Sequence, residues 1–204
     1  DPKHARFQML AALTRLRQLS LHPGLVDEAA LAVGSAKVDY LTTQLPQLSE
    51  EGHRSLVFSS FPTFLRLLRP QLEDVGLRVC YLAGELTPGE RAEQIDMFTR
   101  GDADVFLISL KAGGSGLNLT QADYVFLTDP WWNPAAEDQA IDRAHRIGQT
   151  RPVNVIRLVA VDSIEGKVVD LQSTKRHLAQ AALGGEQSFA AALTDPRGSP
   201  RQSL

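Results

Sequence analysis

Gln139, Arg143 and Arg146 are spaced four and three residues apart in a segment that reads as helix. At about 100° per residue their side chains share one narrow arc. Arginines on neighbouring turns repel by about a few tenths of a kcal/mol, so an anion is expected between them. Planar guanidinium forks suit phosphate oxygens, which makes phosphate the first candidate. Asn133 suits the N-cap and Pro134 the first helical position, fixing where this helix starts. Ala136, Ala140, Ala144 and Ile147 form an adjacent apolar stripe able to dock on a core. The plainer alternative is a solvated basic face paired with Asp138 and Asp142.

Two further places carry chemistry-bearing residues. Leu110 to Leu119 holds three glycines (Gly113, Gly114 and Gly116), whose backbone N–H groups can approach an anion closely. The same run can equally be a flexible connection. Gly114-x-Gly116 invites a dinucleotide reading, but a third glycine at the right spacing and a following acid are missing. Trp131 and Trp132 are adjacent, so both cannot face one core, and one is expected near the surface. An exposed indole beside a basic face suits a nucleotide sugar or base. The chain contains no Gly-x-x-x-x-Gly-Lys-Ser/Thr run and no acidic pair after a strand that would hold magnesium; Asp129 reads as a turn-former. Arginines aimed at phosphate without a cradle or a metal site look like half of a composite active site. An arginine delivered by a second body accelerates phosphoryl transfer by roughly 10³–10⁵.

The elements that must position these residues alternate. Ala5–Leu21 is an amphipathic helix ending near His22-Pro23-Gly24, Asp27–Gly34 reads as a linker, and Lys37–Glu51 is a second helix. Ser55–Ser60 is a continuous apolar run typical of a strand buried on both faces. A helix over Pro62–Val75 follows, with Pro70 as a possible kink, and then strand Arg78–Leu82. Thr87-Pro88-Gly89-Glu90 is a capping box opening a helix to Arg100. Strands Asp104–Ser109 and Tyr124–Thr128, the arginine helix, strand Val153–Val159 and a helix over Ser163–Ala182 complete the pattern. This is an α/β chain with a parallel sheet covered by helices on both faces, plus an N-terminal helical segment. The expected organisation is 1–34 as helix and linker, 35–183 as the main lobe, and 184–204 as a short helical stretch and disordered tail.

The 204 residues carry a net charge of −3, which argues against a chain wrapped in nucleic acid. Charge is local, however: Asp142 to Arg157 contains four arginines against a single acid. Cys80 is the only cysteine, so there is no disulfide framework, and the histidines lack metal-ligand spacing. No apolar run approaches a membrane span and no signal-peptide pattern opens the chain. The expectations are an intracellular setting, cytoplasmic in a bacterium or nuclear in a eukaryote, and a piece of a longer protein.

Three blocks together resemble a known family. Ser109-Leu-Lys-Ala-Gly-Gly-Ser-Gly-Leu-Asn-Leu119, Asp129-Pro-Trp-Trp-Asn-Pro134 and Gln139-Ala-Ile-Asp-Arg-Ala-His-Arg-Ile-Gly-Gln149 are similar to the C-terminal RecA-like lobe of Swi/Snf-family ATPases among the superfamily 2 helicases. Leu16 to Pro23, Leu56 to Phe61, and Gly84 with Arg91 fit in the same order, so the resemblance covers about residues 10–195. It implies that Arg143 and Arg146 are arginine fingers for ATP held with Mg²⁺ mainly by an N-terminal RecA-like lobe, with Gln139 coupling nucleotide to lobe closure. Gly116 and Asn118 would lie near the nucleotide. Ser109, Lys111 and Gly113 would track the backbone of one strand of double-stranded DNA, Trp132 would approach its groove, and Ser59 would also bind DNA. The implied activity is a DNA-dependent ATPase that translocates on duplex, with this lobe alone inactive and monomeric. Ser60 stands where the family usually has Gln, Ala83 where it often has Asp or His, and the region after Phe189 is short. A docking module without catalysis and a dinucleotide-dependent oxidoreductase are the rival readings.

Overall fold

The computed structural model describes residues 2–112, 117–145, 149 and 151–175. Five strands form one sheet in the order β2-β3-β1-β4-β5, and every pairing is parallel. They are β1 (Ser55–Ser59), β2 (Val79–Leu82), β3 (Val105–Ser109), β4 (Tyr124–Leu127) and β5 (Asn154–Arg157). β1 is central, with Ser59 opposite Ser109 on β3 and Phe58 opposite Leu127 on β4. The segment between β3 and β4, which contains the glycine-rich run in sequence, therefore joins the strands on either side of β1.

Burial on both faces explains the unbroken apolar strands. Val57, Val79, Tyr81, Val105, Leu107 and Phe126 pack with Leu21 of α1 (Pro2–Leu21), Val38, Leu41 and Leu45 of α2 (Ala36–Glu50), and Phe64, Leu65, Leu68 and Leu72 of α3 (Pro62–Asp74). Their neighbours Leu56, Phe58, Cys80, Leu82, Phe106, Ile108, Val125 and Leu127 face the other way. That second core takes in Phe98 of α4 (Pro88–Arg100) and Ala140 of α5 (Pro134–Ile141), together with Ala144. The period of two along each strand is what divides one apolar run between two cores. A further helix, α6 at 164–175, presents Glu165, Val168 and Gln172 inward on one face.

Local chemistry sets the helix ends. The Thr87 hydroxyl accepts from the Glu90 amide while the Glu90 carboxylate accepts from the Thr87 amide, giving the expected capping box. Gly101 closes α4 with φ of +93°, a left-handed conformation that costs glycine little. Asp27–Gly34 departs from the expected linker: Glu28–Val33 forms a 3₁₀ helix because the Asp27 carboxylate caps the Ala29 amide at 3.0 Å. β5 is shorter than expected, although the Leu158 amide still bonds Leu127 at 2.9 Å. The expected helix beyond 175 and the tail from 184 lie outside the described residues.

Burial pushes the Cys80 thiol up to about 11 from its ordinary 9.0. Below about pH 9 both states carry the neutral thiol. The folded state then loses this contribution as pH rises through about 11, since it binds the proton more tightly than the unfolded chain. Iodoacetamide at pH 8 is therefore expected to label Cys80 only at the rate of global opening, read by mass spectrometry. Prompt labelling of the folded chain would contradict this placement.

Candidate functional site

In an open parallel sheet, ligands meet the carboxyl ends of the strands, and here that edge is built around Asp129. Its carboxylate is 1% exposed. Oδ1 accepts from the Ser59 hydroxyl at 2.7 Å and the Ser60 amide at 3.0 Å, and Oδ2 from the Ser60 hydroxyl and from Arg17 Nη2 at 2.9 Å. The same Nη2 reaches the Pro130 carbonyl at 2.9 Å and the Ser60 oxygen at 3.0 Å. One carboxylate thus ties the ends of β1 and β4 to α1.

A second buried ion pair lies beside it. Lys37 Nζ donates to both Glu165 oxygens at 2.7 and 2.8 Å, and to the carbonyls of Thr128 at 2.6 Å and Leu158 at 3.1 Å. Burial pushes the Lys37 ammonium down and the Glu165 carboxyl up, and the partner's charge opposes each shift. The loop after Asp129 is held from the other side. The buried Glu137 accepts from the Trp131 amide at 2.8 Å and from Gln172 at 2.6 Å. Gln172 also donates to the Trp131 carbonyl, and Lys175 to that of Trp132 at 3.1 Å. A cleft of about 740 Å³ opens beside Lys37, Tyr40 and the Ile156–Val161 run. Its lining is mostly aliphatic.

The expected site residues divide on this frame. Trp132 is 36% exposed, and Lys111, Asn118 and Gln139 are exposed, so these side chains face outward. Trp131 is half-buried, as two adjacent indoles require. Asn133 caps α5 through its side chain to the Ala135 amide, as its type suggested. Gln139 and Arg143 do not share an outward face, however. α5 ends at Ile141, and the Arg143 and Ala144 amides bond three residues back, to Ala140 and Ile141. Asp142 and His145 still bond four residues back, to Asp138 and Ile141, so regular and tighter turns mix past the helix end. Arg143 is 4% exposed, and its carbonyl accepts from the Leu119 amide at 3.1 Å, so this turn supports the loop after the glycine-rich run.

Ser59 and Ser109 also differ from expectation. Ser59 is fully buried, with its hydroxyl spent on Asp129 and on the Phe61 amide. Ser109 is buried and its oxygen accepts from the Ala112 amide at 3.3 Å. Gly113, Gly116 and Arg146 lie outside the described residues. Asp129 is an anchor rather than a simple turn-former. The two departures from the family pattern have structural roles: Ser60 joins the Asp129 clasp, and Ala83 is sealed in the first core.

Residues 36–148, over half of the chain, match the helicase conserved C-terminal domain. The chain belongs to this helicase family. It is 42% identical over 156 residues to the ATP-dependent helicase rhp16 of Schizosaccharomyces pombe, covering 75% of this chain and 18% of that protein. An Arabidopsis thaliana SWI/SNF-related regulator of chromatin, subfamily A member 3-like 1, is 42% identical over 79% of this chain and 19% of its own length. The crystal structure of the C-terminal part of the Fun30 ATPase domain superposes with a TM-score of 0.64 at 37% identity, covering 68% of this chain and 45% of that one. The fold and these likenesses identify a RecA-like C-terminal lobe of the Swi/Snf type. The chain spans less than a fifth of the length of these two curated relatives.

Within this helicase lobe, two tethers to the glycine-rich connection went unread in the sequence. Arg91 of α4 donates to the Ala112 carbonyl at 2.9 Å, where that connection begins. Gln149 donates to the carbonyls of Thr120 at 3.1 Å and Ala122 at 2.7 Å, where it ends. Both residues stood inside the family blocks, but their partners are distant in sequence. The buried charges at 17, 37, 129, 137 and 165 gave no periodic signal either. An acid ending an apolar strand directly before proline was the one available hint.

Removing one member of a buried pair strands the other. Glu165→Gln, which leaves Lys37 facing a neutral amide, is expected to cost about 3–5 kcal/mol in urea unfolding. Lys37→Met with Glu165→Leu should restore most of that loss. A loss in the double change equal to the sum of the Lys37→Met and Glu165→Leu losses would show that the pair is not coupled.

Proposed function

We propose that this lobe is the second half of an ATP-driven motor that moves along double-stranded DNA. ATP and Mg²⁺ are held mainly by an N-terminal RecA-like lobe of the same protein, and closure of the two lobes completes the active site. Arg143 and Arg146 then meet the phosphates as arginine fingers, and Gln139 couples closure to hydrolysis. Gly116 and Asn118 border the nucleotide. Lys111 and Gly113 track one strand's phosphates, with Ser109 shaping the turn beneath them, and Trp132 approaches the groove. Ser59 supports this surface through Asp129 rather than touching DNA.

The observation that supports this reading is that Lys111, Trp132 and Gln139 are all exposed within residues that match the helicase C-terminal domain. The burial of Arg143 adds a requirement: its guanidinium must turn out of the lobe when the partner lobe presents a triphosphate. The pairing of a cradle on one body with arginines on another accounts for a chain that has the arginines but no phosphate-binding loop.

The test is ATP turnover by the full-length protein on duplex DNA. Arg143→Ala and Arg146→Ala are each expected to lower kcat by about 10³-fold or more, with ATP binding changed only a few-fold. The isolated lobe should not turn over ATP above background. Full turnover by Arg146→Ala would favour the rival docking module, and turnover by the lobe alone would refute the shared site. Duplex affinity should fall log-linearly with salt, and Lys111→Ala should reduce that slope by about 1.

A further inference from the structure

The loop from Thr128 to Trp132 is held almost atom by atom. Lys37 takes the Thr128 carbonyl, Arg17 that of Pro130, Glu137 the Trp131 amide, Gln172 the Trp131 carbonyl and Lys175 the Trp132 carbonyl. Arg17 is distinctive because it touches both the loop's backbone and its exposed ring. Its guanidinium carbon lies 6.0 Å from the centroid of Trp132 and 5.1 Å from that of Phe61.

The bonding of Arg17 is lopsided. All three of its hydrogen bonds leave from Nη2, while Nε is buried without a partner. A buried donor left unmade is unfavourable, so the satisfaction of donors alone does not explain this orientation. The two aromatic faces do: a flat, weakly hydrated guanidinium can lie against rings in a way that a compact ammonium cannot. We infer that Arg17 is a positioning residue: it fixes the Trp132 indole at the carboxyl edge and couples α1 to the surface that meets DNA. Displacement of α1 would then move the indole. The coupling to DNA rests on the proposed role of Trp132, whereas the positioning does not.

The chain contains only two tryptophans, both in this loop, so its tryptophan emission reports on nothing else. With Trp131→Phe in place, Trp132 is the sole indole. Arg17→Lys keeps a cation opposite Asp129 but loses the flat contact. It is expected to raise acrylamide quenching of Trp132 about two-fold and shift emission to the red, with far-UV circular dichroism and Tm near those of the parent. Quenching that stays at the parental value, including with a lowered Tm, would overturn the positioning role and leave Arg17 a purely structural pair for Asp129. In the full-length protein, Trp132→Ala should weaken duplex binding about ten-fold. Arg17→Lys should weaken it less, and add nothing once Trp132 is alanine. Additive losses would overturn the coupling. Raised quenching with duplex affinity indifferent to Trp132→Ala would uphold the positioning and reject the DNA role of the indole.

Discussion

A carboxylate sealed from water at the end of a central strand must be compensated where it stands, and Asp129 meets that constraint by recruiting three residues from two other elements. An unpaired buried ion costs several kcal/mol. Asp129 avoids that cost through Ser59 and Ser60 at the end of β1 and Arg17 from α1. The rest of the edge follows. With Asp129 fixed, Pro130 turns the chain outward, Glu137 at the start of α5 catches the Trp131 amide, and α6 closes over the loop through Gln172 and Lys175. Lys37 and Glu165 form a second buried pair that grips the Thr128 carbonyl one residue earlier.

Much of the fold was legible because it depends on local periodicity. Apolar runs such as Ser55–Ser59 and Val105–Ser109 announce strands buried on both faces, and the cap at Thr87 announces α4. Asn133 and Pro134 fixed the start of α5 for the same reason. Its end was misplaced, since extending a uniform 100° step past Ile141 carried Arg143 onto a face it does not share. The turn there answers to a tertiary demand: the Arg143 carbonyl is needed by Leu119, and no local pattern records that partner.

The candidate site was legible in its motifs and illegible in its supports. Trp132, Lys111 and Gln139 are exposed, and an outward indole was expected from the adjacent tryptophans. Ser59 and Ser109 drew attention as polar residues ending apolar strands, but their hydroxyls are consumed inside the lobe. Arg17 and Asp129 are separated by more than a hundred residues and gave no sign of pairing until the sheet brought them together. Supports of this kind differ from contacts in one respect: they set where an exposed group stands, so their loss should act through that group.

Hydrogen exchange at the Ser60 and Trp131 amides tests the central clasp most directly. Each amide donates to a buried carboxylate, Ser60 to Asp129 at 3.0 Å and Trp131 to Glu137 at 2.8 Å. If these carboxylates fix the carboxyl edge, both amides should exchange as slowly as those of central β1, and Asp129→Asn should release Ser60 first. Rapid exchange at Ser60 in the unaltered chain, while β1 stays protected, would contradict a clasp centred on Asp129.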